Sequence, residues 1–276
     1  MRVEGIDTAA RQRSGVPMVK LPRSMPLVFY SVFAVLVLLA VWSGITLSGL
    51  VGPGYLPTPV DMAKEFMNLL ADGYKGKSLW AHAQISLLRT LAGFGLGVAL
   101  GIPLGLLSGY SRVVGAMFSP IMAFVRPIPP IAFIPMAVLY FGLGETGKVV
   151  LIMFTAFNYA FVNAHAGAAG VSLSYFRAAQ SMGLRKAQTF VRVVLPAAIP
   201  QIFTGLKVAM ALSWAVVVAA ELVGAQAGLG FMISDAAQLF RIPVVFIGIA
   251  LIGAIGLILN LVLALSEDKL VHWKGR

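Results

Sequence analysis

Polar positions in this chain gather into short clusters, and long apolar runs fill the spaces between them. After a polar opening stretch, residues 1–26, no charge appears until Asp61, and residues 27–51 form one apolar run inside that gap. Further runs occupy residues 86–111, 113–143, 149–169, 202–224 and 244–265. A membrane-crossing helix needs about 20 mostly apolar residues. The pattern therefore predicts an all-α polytopic membrane protein with about six transmembrane helices within residues 27–266, flanked by tails at residues 1–26 and 267–276. The first run is longer than the roughly 7–15-residue apolar region of a signal peptide and lacks a clear cleavage site. It is read as a retained anchor.

Local signals refine this outline. Thr58-Pro59-Val60-Asp61 reads as a helix start, with a Thr cap, proline at the first helical position and an acid in the first turn. Val60, Ala63, Met67 and Leu70 then recur at helical spacing, which predicts a short amphipathic helix ending near Asp72-Gly73. In the second span Gly93, Gly97, Gly101, Gly105 and Gly109 fall four residues apart. That spacing keeps them on one helix face, where a missing side chain lets a second backbone approach closely in lipid. The third run contains Arg126 followed by Pro127, Pro129, Pro130 and Pro135. Proline removes a backbone donor and clashes with the preceding turn, so this span is expected to break or kink. Backbone of that kind is tolerated at membrane depth where it lines protein or a watery cavity.

Composition acts mainly by exclusion. The chain has 276 residues, 59% hydrophobic and 11% charged, with a mean hydropathy of +0.91. A soluble domain carries about 25% charged residues, so neither a water-soluble globule nor a disordered chain fits. The absence of cysteine rules out a disulfide scaffold and a thiolate metal site. The net charge of +11 could suggest nucleic acid, but its distribution points elsewhere. With six spans, thirteen Lys and Arg residues lie on the side of the two chain ends and five on the other. Positive residues collect on the cytoplasmic side, so both ends are expected there.

One motif invites misreading. Gly142-Leu-Gly-Glu-Thr-Gly147-Lys148 matches the glycine and lysine spacing of a nucleotide-binding loop. Val149 stands where that loop needs Ser or Thr, and apolar spans flank it where a strand and a soluble helix are required. It is read as a turn on the outer face.

The polar connection at residues 170–200 is more informative. Tyr175, Ala178, Ala179 and Met182 share one helical face, Gly183 interrupts, and Ala187, Phe190, Val191 and Val194 repeat the spacing before Leu195-Pro196. Arg177, Arg185, Lys186 and Arg192 accompany them with no acid. The residue pattern alone fits either a compact cytoplasmic knob or two helices lying on anionic lipid.

The residues from Arg177 through Ala178, Ala179, Gln180, Ser181 and Met182 to Gly183, followed by Val193 and Leu195-Pro196, resemble the loop of permease subunits in binding-protein-dependent ABC importers. Arg177 departs from the glutamate usual at the head of that loop. The prolines from Arg126 to Pro135, the Phe141–Glu145 turn, Ala219-Ala220-Glu221-Leu222 and Gly228–Met232 are similar to the nitrate, sulfonate and taurine branch, and the Arg177–Gly183 wording is most similar to taurine permeases. The resemblance runs from about Leu56 to the C-terminus. It implies a type I importer permease of the bacterial inner membrane, an ABC ATPase subunit docked on the loop, an extracytoplasmic solute-binding protein and a homodimeric pore. ATP and magnesium would belong to the partner ATPase, and this chain would bind no cofactor or metal and carry no catalytic residue. Taurine or another aliphatic sulfonate is the expected solute, with nitrate as the alternative.

Residues inside spans are functional candidates by default. Arg126, Pro127 and Pro130 are candidate pathway residues, Arg126 either pairing with Glu221 or facing the pore. Glu221 is placed with them, although a carboxylate suits a buried cation or broken backbone better than an anion. Arg89 is read as an interface anchor, Lys207 as snorkelling, and His165 as a packed, hydrogen-bonded histidine. An ion-coupled transporter would need paired mid-membrane carboxylates, whereas only Glu221 lies mid-span. An intramembrane enzyme would need motifs that are absent.

Overall fold

A computed structural model describes residues 27–52 and 54–271. The two tails expected at residues 1–26 and 267–276 therefore fall outside it, except for 267–271. The chain divides into two units, Met1–Val51 and Gly52–Arg276. The first contains a single apolar helix, α1 (Leu27–Leu47), with no charged residue.

The second unit is built wholly from helices among the described residues. α2 (Pro59–Asp72) starts as expected: Thr58 accepts a hydrogen bond from the Asp61 amide and Pro59 occupies the first turn. Its packing face differs from the predicted one. Met62, Phe66 and Leu69 contact the core, while Val60, Met67 and Leu70 point outward. Both stripes are apolar, so periodicity alone could not choose between them.

α3 (Leu79–Tyr110) and α6 (Glu145–Ala169) lie side by side along their length. The glycine face makes this possible. A Cβ on Gly97 would stand 2.4 Å from the Met153 carbonyl oxygen and 2.7 Å from Ala156 Cβ. Gly93, Gly101, Gly105 and Gly109 meet Ile152, Phe157, Phe161 and His165 in the same way. No side chain fits at such distances.

Between them the chain makes an elbow. α4 (Arg112–Val125) leads through a 3₁₀ turn, Pro130–Phe133, into α5 (Ile134–Phe141), and the two arms bend by 83°. The proline run breaks the third span, as its chemistry requires.

After α6 come two short helices, α7 (Leu173–Ser181) and α8 (Lys186–Thr189), then α9 (Leu195–Leu222), α10 (Leu229–Gln238) and α11 (Ile242–Leu270). The Leu195-Pro196 step does not end the loop element. A single π turn, Phe190–Val194, joins α8 to α9, and residues 186–222 run on as one helix of 37 residues. Pro196 offers no N–H to the carbonyl four residues back, and the ladder widens immediately before it.

Among the described residues, four helices are long and apolar enough to cross a membrane, or five if the elbow counts as one span. The described apolar part of α1, Val32–Leu47, is shorter than those.

Candidate functional site

The α7–α8 loop and the start of α3 lie at opposite ends of the α3–α6 pair, and they solve the problem of charge differently. At the loop end, α7 stops in a Schellman arrangement. The Leu184 amide donates to the Ala179 carbonyl at 3.0 Å and the Gly183 amide to that of Gln180 at 2.9 Å. Gly183 takes φ +71°, in the left-handed region that favours glycine. Tyr110, at the end of α3, donates its hydroxyl to the Lys186 carbonyl at 2.9 Å and stacks on Phe176.

Within this loop Ala179 is fully buried, with Phe176 and Leu184 partly covered. The predicted face does not hold as a unit: Tyr175, Ala178 and Met182 are exposed, as are Gln180, Ser181 and Gly183. Leu173, Tyr175, Met182 and Val191 present large apolar side chains to the outside, among exposed Arg177, Arg185, Lys186 and Arg192. Leu195 and Pro196 lie half-buried at the head of α9. The exposed side chains of this loop are therefore a mixture of large apolar and basic groups.

At the other end the charges are internally matched. Arg89 donates from Nε and Nη2 to Glu145 at 2.5 Å, and from Nη1 to Glu221 at 2.7 Å and the Ala227 carbonyl at 2.8 Å. Glu221 also accepts from Ser86 Oγ at 2.8 Å and from the Gly230 amide at 2.9 Å. Ser86 in turn accepts from the Leu229 amide. One carboxylate thus receives a guanidinium, a hydroxyl and the first turn of α10, joining α3, α6, α9 and α10.

His82 extends this lock. Its Nδ1 lies 3.1 Å from the Gly228 amide nitrogen and 3.2 Å from the Gly228 carbonyl oxygen, and its Nε2 lies 3.0 Å from the Tyr74 carbonyl oxygen. Tyr74 donates its hydroxyl to Asp235 at 2.6 Å, and Arg241 lies over the Tyr74 ring while pairing with Glu65. Burial, then the hydrogen bond and charge of Asp235, hold the Tyr74 phenol well above its ordinary range, so it stays a donor.

Several sequence expectations change here. Arg89 is no interface anchor: it is buried and doubly paired. Arg126 does not pair with Glu221, whose oxygens are already taken up by other groups. Lys207 pairs with Glu267 of α11. His165 is hydrogen-bonded, to Ser108 at 3.0 Å. Lys148, the lysine of the nucleotide-loop lookalike, donates to the Leu143 carbonyl and so closes the turn between α5 and α6. A cavity of about 750 Å³ opens beside the lock, lined by Lys77, Arg89, Glu145, Lys148 and Gln226 among others.

Arg126 and Pro127 are exposed at the elbow, and Pro130 is half-buried. Arg126 and Pro130 border a cavity of about 100 Å³ whose far wall is the middle of α6, with Asn158, Tyr159 and Asn163. The residues missed in sequence are His82 and Ser86, and Arg89 was named there in another role. Their spacing held a signal, because they continue the glycine stripe of α3 toward its N-terminus on the same face.

Close-packed apolar helices, a proline-broken span and an exposed loop make up a helical membrane protein. Comparison sharpens this. The model of the family described as binding-protein-dependent transport system inner membrane component matches residues 101–272, and the chain belongs to that family. It is 37% identical over 246 residues to the taurine transport system permease protein of Escherichia coli (strain K12), covering 89% of this chain and 90% of that one. It is 34% identical to the aliphatic sulfonates transport permease protein of Bacillus subtilis (strain 168), covering 87% and 85%. The nitrate import permease protein of Synechocystis sp. (strain ATCC 27184 / PCC 6803 / Kazusa) is also 34% identical, with 89% and 90% covered. A chain of the MetNI methionine ABC transporter, solved in an inward-facing form, shares the fold: TM-score 0.59 at 20% identity, covering 77% of this chain and 99% of that one. The protein is thus an ABC-importer permease of the inner membrane, in the branch that contains the taurine, sulfonate and nitrate relatives.

Proposed function

We propose that this chain forms the membrane pathway of an ATP-driven importer for a small anionic or zwitterionic solute, taurine or another aliphatic sulfonate being the best reading. An extracytoplasmic binding protein delivers the solute, and two copies of the chain enclose the pathway. A separate ATPase carries ATP and magnesium and grips the α7–α8 loop. The side bearing that loop and both chain ends faces the cytoplasm, in keeping with the excess of Lys and Arg there.

The observation that carries this reading is the loop surface. Exposed Leu173, Tyr175 and Met182 sit among four basic side chains, with no acid from residue 170 to residue 200. Large apolar side chains exposed together with basic ones are what a protein interface presents. Its rigid connection to α9 through residues 186–194 would carry partner motion into a span as a rigid-body shift. The relatives support the solute class, since the named cargoes all carry an oxyanion.

Cysteine placed at Ser181 tests the docking. Bifunctional crosslinking in native membranes should capture an ABC ATPase, and capture of lipid alone would overturn the knob in favour of an interfacial helix pair. Uptake into vesicles should survive ionophores and stop when the partner's ATPase site is mutated; the reverse result would establish ion coupling. The cognate binding protein should melt at higher temperature with taurine or an alkanesulfonate than with nitrate.

A further inference from the structure

Three basic residues lie within the apolar runs, and two of them are matched by acids: Arg89 by Glu145 and Glu221, and Lys207 by Glu267. Arg126 is the exception. It ends α4 with an exposed guanidinium that makes no hydrogen bond or ion pair among the described residues. An unmatched charge at membrane depth is costly and marks a pathway or ligand position.

Two further polar groups on the same small cavity are also unspent. Asn158 is 8% exposed; its amide nitrogen donates to the Phe154 carbonyl at 3.0 Å, while its Oδ1 is buried and accepts nothing. Reversing the amide would set two oxygens against each other, so the spare group is the acceptor. A buried acceptor left so has given up water and received no partner in exchange. The Tyr159 hydroxyl, half-covered beside it, has no hydrogen bond either. Apolar Val125, Ile128 and Val162 complete the wall. Asn158 lies near the middle of α6, so the cavity is about 20 Å from the Glu145 end at the rise of an α-helix.

We propose that this elbow cavity is a transit subsite for the imported solute, in which Arg126 pairs with an oxyanion, the Tyr159 hydroxyl adds a donor and Asn158 Oδ1 receives an N–H. The volume of about 100 Å³ holds on the order of three water volumes, which suits a solute of a few heavy atoms. A guanidinium matches the geometry of a tetrahedral or planar oxyanion. The spare acceptor adds selectivity: a zwitterion with an ammonium group satisfies both ends, whereas a simple alkanesulfonate or nitrate satisfies only the donors, Arg126 and Tyr159. The subsite rests on the import reading above and assigns part of the selectivity to the membrane chain itself.

The test uses the permease–ATPase complex in lipid nanodiscs, without binding protein, and measures taurine, ethanesulfonate and nitrate binding by calorimetry and by the rise in melting temperature. Taurine should bind best. Arg126→Gln should weaken all three at least tenfold, Arg126→Lys should recover part of that loss, and Asn158→Leu should weaken taurine alone, bringing it level with ethanesulfonate. Equal binding by the parent complex and Arg126→Gln, or none by the parent, overturns the subsite. If Arg126→Gln does not fold, judged by its ligand-free melting temperature, Arg126→Lys and Tyr159→Phe give the same reading. Vesicle uptake with the binding protein separates the two claims. ATP-driven uptake unchanged by Arg126→Gln sinks the subsite and leaves the importer standing. Failure of the parent complex to import any of these solutes sinks the importer reading, while binding lost in Arg126→Gln would still support the subsite.

Discussion

The two ends of the α3–α6 pair carry comparable charge and use it in opposite ways. At the Arg89 end Arg89 and Glu221 meet counter-ions from distant parts of the chain, and even the backbone amides of Gly228, Leu229 and Gly230 are enlisted. At the loop end Arg177, Arg185, Lys186 and Arg192 meet no acid from residue 170 to residue 200 and stay exposed. Matched charge fastens helices of one chain together. Unmatched charge at a surface is left for something outside the chain, and the apolar side chains among it say that this something is more than water.

The largest effect should come from breaking the lock. Arg89→Leu strands Glu221, whose side chain is wholly buried, and removal of one member of a buried pair costs about 3–5 kcal/mol. Thermal unfolding of the purified permease should show that loss. Glu145→Gln removes a partner whose side chain is 63% exposed and should cost no more than about 1 kcal/mol. If both variants melt alike, Arg89 is not the hinge pin of this end.

Next in size is the stripe that joins the two ends. A Cβ at Gly97 would stand 2.4 Å from backbone oxygen, whereas Gly95, two residues earlier on the outer face, meets nothing within 4 Å. Gly97→Leu should cost at least the roughly 1–3 kcal/mol of overpacking and push α3 from α6. Gly95→Ala should be neutral or stabilise by up to about 1 kcal/mol. The two melting curves check this directly, and equal curves would remove close approach as the reason for the glycines.

These regions were unequally legible beforehand. The glycine stripe and the broken third span could be read because their signals are local: a period of four, and four prolines in nine residues. The loop helix, its glycine stop and its basic surround were local too. Which of its residues turn inward was not: of the predicted face Tyr175, Ala178, Ala179 and Met182, only Ala179 is buried. The lock was hidden further still. Glu221 lies 132 residues from Arg89, and no periodicity links them. His82, Ser86 and Arg89 do share the row of Gly93 and Gly97, and polar residues on a face otherwise built for close packing needed partners there. Lys207 and Arg126 looked alike in sequence as lone basic residues near spans; only the fold, by giving Glu267 to the first and nothing to the second, told them apart.

The smallest stability effect is the most discriminating. Arg177 is exposed on α7 and makes no ion pair among the described residues. Arg177→Glu should therefore change the melting temperature of the isolated permease by less than about 0.5 kcal/mol equivalent, the ordinary range for a surface site. The same substitution places a negative charge among otherwise basic side chains, and like charge or lost steering at such a surface acts on association. Copurification of the ATPase should fall while the permease itself remains folded and inserted. If stability and association fall together, the loop end resembles the lock end after all, and its basic residues are holding this chain together. If neither falls, the basic side chains have no partner to meet.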